Sequence, residues 1–381
     1  MKSRYRPRFA SRPDRSHDRI RYAVVGLGHI AQKAILPAFR NARENSELAA
    51  LVSDDPVKLR ALSREYGVAD CFAYKDFELC LRGGMIDAVY IALPNNLHAD
   101  YCIRAAQAGI HVLCEKPLAV TGDECRDIIR SCAENNVKLM TAYRLHFEEA
   151  NLEAMEIVRS GQIGDPRIFN SLFSMQVSPG NVRTDDQYAG GTLYDIGIYC
   201  INAARYMFND EPVEGFCFSA AGRDARFRKV EEMTAALLRF PNERLAGFTA
   251  SFGAADSADF EVIGAKGKLR VVQAYDYSVP ALLERTMEGR TERKRFELRD
   301  QFAPEIIYFS DCILRDLEPE PSGVEGLRDV GILRSLYDSA RTGRAVRLKT
   351  IKRRRYPDKG REIHRPAIRN PRLVRVRAPA G

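Results

Sequence analysis

Long apolar runs and closely spaced cysteines are both missing from this sequence. No apolar stretch approaches the roughly eighteen residues that a transmembrane helix needs. None of the nine cysteines is spaced as Cys-x-x-Cys, which argues against a zinc site or a disulfide framework. We therefore expect reduced thiols and no bound metal. Residues 1–19 lack the apolar segment of a secretory signal, and this predicts a cytoplasmic protein that makes no membrane contact.

Aromatic residues are also sparse, at 9% of the chain, but apolar residues reach 45%, which suits an ordinary globular core. A length of 381 residues allows about two domains. We expect the first domain to span residues 20–142 and the second to span residues 143–349. A basic arm, residues 1–19, would precede them, and a basic tail, residues 350–381, would follow.

The formal net charge of +8 is concentrated at the two ends of the chain. Residues 1–19 hold seven Lys/Arg against two Asp/Glu, net +5, and residues 350–381 hold eleven against two, net +9. The body between them therefore carries −6, which argues against binding of nucleic acid by the globular part. We expect the two ends to be solvated. An arm packed on a neighbouring subunit and a contact to a polyanion are the alternatives.

A glycine-rich turn follows the first predicted strand. Residues 21–25 suit a short buried strand, and Gly26-Leu-Gly28-His-Ile-Ala31 follows at once and opens a helical pattern. In a Gly-x-Gly-x-x-Ala turn, the glycines allow a tight turn and the close approach of a pyrophosphate, and the small residue lets helix pack on strand. Further apolar segments at 48–52, 86–92 and 112–114 alternate with helical stretches. Together they predict a doubly wound parallel sheet, a Rossmann domain, that binds a dinucleotide.

The end of the second predicted strand, Ser53-Asp54-Asp55-Pro56-Val57-Lys58, should face the adenosine ribose. A carboxylate there favours NAD, because it accepts hydrogen bonds from the ribose 2′-OH. A hydroxyl and a cation favour NADP, because they hold a 2′-phosphate. Both sets are present, so residue chemistry alone leaves the choice between NADP and NAD open. One of the two aspartates is also expected to cap the helix that follows.

Two later strand ends carry further candidates. Leu93-Pro94-Asn95-Asn96-Leu97-His98 places Asn95 and His98 over the region of the nicotinamide ribose, and a packing or capping histidine is the alternative for His98. Glu115-Lys116-Pro117 follows an apolar run at the carboxyl edge of the sheet, where open α/β folds place their chemistry. Lys116 is therefore a catalytic candidate, with an ordinary solvated strand end as the alternative.

Alternating strands predict a second sheet. They begin at Pro166 and recur at 213–219, 231–240, 243–252, 258–263 and 268–273. Hairpin-like turns such as residues 241–244 indicate a large, open and mostly antiparallel sheet in an α+β domain. One face of this sheet would cover the cofactor, and the other would be free for a subunit contact.

A glycine pair in the second domain precedes a polar helix face. Gly190-Gly191-Thr-Leu-Tyr-Asp195-Ile-Gly197-Ile-Tyr199 puts Asp195 and Tyr199 four residues apart, on one side of a helix. A carboxylate and a phenol that project together suggest a substrate-facing pair, and a surface or interface face is the alternative. Arg183, in the preceding loop, is a candidate for closing the pocket.

Roughly residues 20–350 resemble the Gfo/Idh/MocA family of NAD(P)-dependent oxidoreductases. The resemblance lies in the glycine turn, Leu93-Pro94-Asn95-x-x-His98, the segment 108–117 with Glu115-Lys116-Pro117, and Gly190-Gly191-x-Leu-x-Asp195-x-Gly197-x-Tyr199. Most of the family has histidine where Tyr199 stands. The tyrosine is similar to the subgroup of glucose-fructose oxidoreductase and dimeric dihydrodiol dehydrogenase.

The resemblance implies a role for each site residue. Tyr199 would be the acid/base of hydride transfer, Lys116 would stabilise its phenolate, and Asp195 would orient both. The substrate would meet Arg183, Asp195 and Tyr199. The cofactor would contact Gly26, Gly28, His29, Ile30, Ser53, Asp54, Lys58, Tyr74, Leu93, Pro94, Asn95, His98, Glu115, Lys116 and Arg144. Counterparts of Ser53, Lys58, Tyr74 and the Tyr143-Arg144-x-His146 segment bind NADP in the subgroup, which favours NADP slightly, although Asp54 replaces a glycine found there.

The implied activity is NAD(P)-dependent hydride transfer at a carbinol or carbonyl carbon of a sugar, polyol or cyclic diol. The protein would be a homo-oligomer, a dimer or tetramer, joined through the second sheet. One alternative is a glycoside hydrolase or lyase that keeps NAD bound and oxidises its substrate transiently. A non-catalytic NAD(P)-sensing regulator is the other, although such a protein needs no proton-transfer groups.

Overall fold

A six-stranded parallel sheet forms the first part of the molecule. The computed structural model describes residues 18–349, 351, 356–376 and 378. The strands are β1 Ile20–Val25, β2 Ser46–Val52, β3 Asp70–Phe72, β4 Ala88–Ile91, β5 His111–Glu115 and β6 Leu139–Ala142. They lie in the order β3-β2-β1-β4-β5-β6, and every pair runs parallel. This is the order of a doubly wound dinucleotide-binding sheet, and it confirms the predicted fold class.

Short helices cover both faces of this sheet. They are α1 Leu36–Ala38, α2 Pro56–Tyr66, α3 Phe77–Arg82, α4 His98–Gln107 and α5 Gly122–Glu134. Helix α5 begins at a capping box, in which the Glu124 N–H donates to Thr121 Oγ1 and the Thr121 N–H donates to Glu124 Oε2. Strands buried on both faces give two apolar cores, one on each side of the sheet.

The second sheet has nine strands. They are β7 Pro166–Ser174, β8 Glu214–Ala220, β9 Met233–Phe240, β10 Arg244–Ser251, β11 Ser257–Gly264, β12 Gly267–Val272, β13 Leu282–Met287, β14 Arg290–Arg295 and β15 Val346–Arg347. Their order is β14-β13-β12-β11-β7-β10-β9-β8-β15, and only β7 and β10 pair in parallel. The mostly antiparallel sheet is as predicted. The β13–β14 hairpin was not predicted, because β14 is charged and exposed along its whole length and shows no apolar alternation.

Four further α-helices follow in the described chain: α6 Glu149–Arg159, α7 Ile198–Phe208, α8 Ala303–Leu314 and α9 Gly323–Thr342. Helix α8 returns to the first sheet, where Ile306 and Phe309 enter its core and Ser310 Oγ lies 2.8 Å from the Tyr22 hydroxyl. The chain therefore crosses between the two sheets more than once, and the domain boundary at residue 142 stays a prediction. Within the described residues, no helix is both long enough and apolar enough to cross a membrane.

The basic C-terminal segment also returns to the first sheet. Arg365 Nε donates to the Asn41 carbonyl at 3.0 Å, and the Val374 N–H donates to Gln32 Oε1 at 2.7 Å. The expectation of a solvated tail is therefore wrong for residues 356–376, because apolar side chains between the arginines pack against the first core. The N-terminal arm through residue 17 and residues 350, 352–355, 377 and 379–381 lie outside the described residues.

Candidate active site

The glycine turn after β1 leaves an open space in front of a helix. Gly26 has a φ of +97°, and a Cβ built on it would lie 2.5 Å from the Ala92 carbonyl oxygen, so a side chain does not fit there. A Cβ built on Gly28 would meet no atom within 4 Å. Packing therefore does not explain this glycine. The open space lies at the start of the helical residues 29–38, whose first N–H groups attract an anion, and it fits a dinucleotide pyrophosphate.

The two residues after the turn differ in their surroundings. Burial, together with the charges of Arg183 and Lys33, lowers the pKa of His29 to about 4. Ile30 packs partly against the first core. A neutral imidazole adds no charge near pH 7, so the backbone N–H groups are the groups at this point that can attract an anion.

The two aspartates after β2 both bond to backbone N–H groups. Asp55 caps α2, since its carboxylate accepts from the N–H groups of Val57 at 2.9 Å and Lys58 at 3.2 Å. Asp54 Oδ1 accepts from the Tyr74 N–H at 2.7 Å. The expected helix cap is thus confirmed and assigned to Asp55. A ribose 2′-OH would have to compete with these bonds for either carboxylate, which weakens the case for NAD from Asp54.

A hydroxyl and a cation lie beside the aspartates. Ser53 is buried, and its Oγ accepts from the Asp55 N–H at 3.2 Å. Lys58 is partly buried, and burial lowers its pKa, as does the nearby Arg375, while Asp55 opposes the shift. An anion next to Lys58 would therefore relieve an unfavourable charge. This arrangement fits the 2′-phosphate of NADP.

The loop after β4 joins the two parts of the molecule. Asn95 Nδ2 donates to the Ala189 carbonyl at 2.9 Å, and Asn96 Nδ2 donates to the Gln187 carbonyl at 2.9 Å. Leu93, just before this loop, is buried, and Pro94 precedes the short helical turn Asn95–Leu97. Two amides thus hold the loop that contains Arg183 over the edge of the first sheet.

His98 is buried behind this loop and contacts two backbone carbonyls. Only 1% of it is exposed, and its Nδ1 and Nε2 lie 2.8 Å and 2.9 Å from the carbonyl oxygens of Pro117 and Leu93. Burial lowers its pKa, although the two carbonyls act in the opposite direction. These contacts match the packing alternative. They tie the loop after β4 to the segment that carries Lys116.

Lys116 extends from the end of β5 to the second part of the molecule. Its Nζ donates to the Asp195 carbonyl at 2.7 Å and lies 3.3 Å from Asp195 Oδ1. Burial opposes its charge, but Tyr199, Asp195 and Glu115 raise the pKa of Lys116 above its ordinary value. It is therefore an ammonium ion near pH 7. Two of its three N–H bonds can serve Asp195, and the third is available to an oxygen in the pocket.

Asp195 holds two cations. It lies in a π-helical turn, Leu193–Gly197, just before α7, and such turns are frequent at functional sites. One carboxylate oxygen faces Lys116, and the other accepts from Arg183 Nε. Burial opposes ionisation, but Arg183 and Lys116 outweigh it and lower the pKa of Asp195 to about 2. Only glycine fits at position 190 beside Arg183, because a Cβ there would lie 2.4 Å from the Arg183 carbonyl oxygen.

Tyr199 lies one turn beyond Asp195, between two cations. Its ring centroid is 4.8 Å from Lys116 Nζ and 5.1 Å from Arg144 Cζ. On its other sides the ring contacts Phe173 and Tyr275, at centroid distances of 5.6 Å and 5.9 Å. Tyr199 is thus enclosed by two cationic side chains and two aromatic rings.

Arg144, expected among the cofactor contacts, lies against Tyr199. Its guanidinium donates to Gln301 Oε1 and to the Tyr275 carbonyl, and it lies 5.3 Å from the ring centroid of Tyr277. Sequence reasoning missed these three partners. They follow Arg144 by well over a hundred positions, and no motif marks them, so only the fold could have revealed them.

Glu115 faces a buried carboxyl group beside Lys116. Its Oε1 accepts from the Tyr90 hydroxyl at 2.9 Å, and burial raises its pKa while Lys116 acts in the opposite direction. Glu305, which α8 brings in, is fully buried, and burial holds its pKa well above the ordinary value. Glu115 is one of the neighbouring groups that raise the pKa of Lys116.

Known proteins resemble this chain in both of its parts. Residues 20–143 match the model of the oxidoreductase family with an NAD-binding Rossmann fold, and residues 151–270 match the GFO/IDH/MocA C-terminal domain. The D-xylose 1-dehydrogenase (NADP(+)) of Haloarcula marismortui is 32% identical over 336 residues, which cover 86% of this chain and 93% of that protein.

Solved structures share the whole fold. The crystal structure of aldose-aldose oxidoreductase from Caulobacter crescentus, complexed with glycerol, has a TM-score of 0.82 and 34% identity and covers 87% of this chain and 100% of that chain. A 3-ketoreductase from Actinomadura kijaniata, in complex with NADP and TDP-benzene, has a TM-score of 0.78 and 26% identity over 84% of this chain and 98% of that chain. With its glycine turn, its strand-end lysine and these relatives, the chain belongs to the Gfo/Idh/MocA family of NAD(P)-dependent oxidoreductases.

Proposed function

We propose that this protein catalyses NADP-dependent hydride transfer at a carbinol or carbonyl carbon of a sugar, with polyols and cyclic diols as related substrates. The observation that carries the proposal is the meeting of Lys116, from the end of a strand in the first sheet, with Asp195 and Tyr199, from one helical segment of the second part of the molecule. The relatives named as a xylose dehydrogenase and an aldose-aldose oxidoreductase support the choice of a sugar.

The open space at Gly28 and the groups at Ser53 and Lys58 would hold the dinucleotide. When it is bound, NADP accepts or supplies the hydride. Tyr199 moves the matching proton: its phenolate takes the proton of the substrate hydroxyl in oxidation, and its phenol returns it to the carbonyl oxygen in reduction. Lys116 places its charge next to both oxygens, where negative charge develops as the reaction proceeds.

Asp195 and Arg183 would act as positioning residues. The carboxylate fixes the Lys116 ammonium through one oxygen and the Arg183 guanidinium through the other. Arg183 remains about a quarter exposed, which leaves guanidinium N–H groups for substrate hydroxyls at the pocket entrance. The cluster would thereby orient a polyhydroxylated substrate as well as the proton-transfer pair.

A panel of aldoses, ketoses and polyols, offered with NADP or NADPH, tests the proposed reaction. Steady, stoichiometric change of the nicotinamide absorbance with at least one sugar supports it. Cleavage of glycosides without net change of the cofactor would instead indicate a hydrolase or lyase that retains NAD. Nucleotide binding without turnover of any kind would favour the regulator.

Replacing Lys58 with alanine is expected to weaken NADP binding about tenfold and NAD binding no more than about twofold, because a charge-assisted bond to the 2′-phosphate is lost. Dissociation constants from titration calorimetry provide the measurement. Arg64→Ala, an exposed change on the same helix, is the matched control and should leave both constants unchanged. An equal loss for both nucleotides would refute the phosphate contact.

We also propose that two or four copies of the chain associate through the outer face of the nine-stranded sheet. Four adjacent strands, β7, β10, β9 and β8, expose large apolar side chains on that face. They are Ile168, Leu172, Phe218, Met233, Leu237 and Leu245. Contiguous apolar patches of this kind usually mark an interface.

Leu237→Glu is expected to convert the assembly to monomers, because it places a charge in the middle of the apolar patch, where the native leucine is 59% exposed. Light scattering after size-exclusion chromatography gives the mass. Leu79→Glu, at a similarly exposed leucine on α3, should not change it. A monomeric wild-type protein, or an unchanged mass for Leu237→Glu, would refute this interface.

A reducing, cytoplasmic location is proposed on the state of the thiols. All nine cysteines are free, and eight of them are buried. Free thiols in this number are typical of proteins from reducing compartments.

A further inference from the structure

The C-terminal segment brings a second cation to the end of β2. Arg375 Nη1 lies 3.3 Å from Asp55 Oδ1, next to the Lys58 side chain that is assigned above to the 2′-phosphate of NADP. Arg375 is 61% exposed, so its remaining guanidinium N–H groups are accessible from solvent. The sequence around residue 375 does not indicate a nucleotide contact. Arg375 is one of several arginines spaced along the C-terminal segment, far from the Rossmann motifs.

The position of Arg375 is fixed by its neighbour Val374. The Val374 N–H donates to Gln32 Oε1 at 2.7 Å, and Gln32 Nε2 donates back to the Val374 carbonyl at 3.1 Å. Gln32 is only 1% exposed, and its Nε2 also donates to the Leu27 carbonyl at 2.9 Å. Gln32 belongs to the helical stretch that follows the glycine turn. A paired amide bond thus ties the C-terminal segment directly to the nucleotide-binding element.

Further contacts hold the segment along its length. Arg361 Nη1 donates to the Glu320 carbonyl at 2.7 Å. Asn41 Nδ2 donates to the Pro366 carbonyl at 2.9 Å, and Arg365 donates to Asn41 in return. Several separate anchors over about a dozen residues make the segment part of the first sheet's surface. The backbone at Arg375 is therefore already positioned before a ligand binds.

Two cations meet at this corner, where both aspartates already accept from backbone N–H groups. Asp55 is committed to the cap of α2, and two cations, Lys58 and Arg375, lie beside it. The two cations oppose each other, since Arg375 lowers the pKa of Lys58. A phosphate dianion would bind both, and the planar guanidinium can offer it two parallel N–H bonds.

We propose, resting on the proposed use of NADP, that Arg375 binds the 2′-phosphate together with Lys58 and Ser53, so that the C-terminal segment completes the cofactor site. A different role, in which Arg375 only neutralises Asp55 and anchors the segment, would affect both nucleotides equally. The distinction can therefore be measured by binding alone, in the absence of a sugar.

The experiment compares 2′,5′-ADP with 5′-AMP by titration calorimetry on the full chain. Arg375→Ala is expected to weaken binding of 2′,5′-ADP about tenfold and to leave 5′-AMP within about twofold, and Arg375→Lys is expected to lie between wild type and alanine. Arg372→Ala, an exposed arginine three residues earlier, is the matched control and should behave as wild type. The selective loss should also shrink as salt concentration rises, because the guanidinium stays exposed to solvent.

Two results would overturn the proposal. The first is an equal loss, or no loss, for the two nucleotides in Arg375→Ala, which would leave Arg375 a structural role. The second is a wild-type protein that binds 2′,5′-ADP no more tightly than 5′-AMP. Neither result bears on sugar oxidation or reduction, which the substrate panel decides with NAD as well as with NADP.

Discussion

Replacing Lys116 with methionine is expected to slow hydride transfer by about a hundredfold or more while changing the affinity for NADP no more than about twofold. Methionine keeps most of the length and apolar bulk of the lysine stem but removes the ammonium, which is bonded to Asp195 and lies 4.8 Å from the Tyr199 ring centroid. The substrate oxygen and the phenolate would both lose their neighbouring charge. Single-turnover rates at saturating sugar and calorimetric dissociation constants for NADP measure the two quantities separately.

The control for this variant is Lys75→Met, at an exposed lysine of the first domain, which should leave both quantities unchanged. A structural role for Lys116 would reduce the rate and nucleotide binding together, because the ammonium links the end of β5 to the helical turn that contains Asp195. Parallel losses of that kind would remove the catalytic assignment.

Tyr199→Phe is expected to give a loss of similar size, about a hundredfold or more, because it removes the only atom that carries the transferred proton. The phenyl ring keeps its contacts with Phe173 and Tyr275, so the fold and the nucleotide site should be unaffected. Steady-state kinetics in both directions, together with the melting temperature, provide the measurement.

Tyr188→Phe, at an exposed tyrosine in the loop that carries Arg183, is the matched control and should turn over normally. Near-normal turnover of Tyr199→Phe would show that another group, or water, moves the proton. Lys116 would then be the nearest remaining candidate.

The parts of the site that the sequence reveals are those marked by local chemistry. Lys116 follows an apolar strand and precedes a proline, and Asp195 and Tyr199 share a helix face, so each can be found without the fold. The sequence does not show that Lys116 bonds to Asp195, because Lys116 follows a strand of the first sheet and Asp195 lies in a helical turn of the second part of the molecule. Their meeting depends on tertiary structure.

Other parts of the site carry no local signal. Two adjacent aspartates follow β2, and only the geometry shows that Asp55 caps the helix while Asp54 bonds to the N–H of Tyr74. Glu305 lies in an ordinary apolar helix whose return to the first sheet no periodicity indicates. Arg375 resembles any solvated arginine, since the amide pair between Gln32 and Val374 that positions it is a long-range contact.

The most direct test of the proton-transfer pair is a single turnover of NADP with a sugar that is active in the panel and carries deuterium at the carbon that its product shows to be oxidised, analysed by mass spectrometry. The account predicts deuterated NADPH from the wild type, and about a hundredfold slower appearance of the label from Lys116→Met and Tyr199→Phe, both with NADP still bound. Unlabelled NADPH from the wild type, or label transferred at the wild-type rate by either variant, would contradict it.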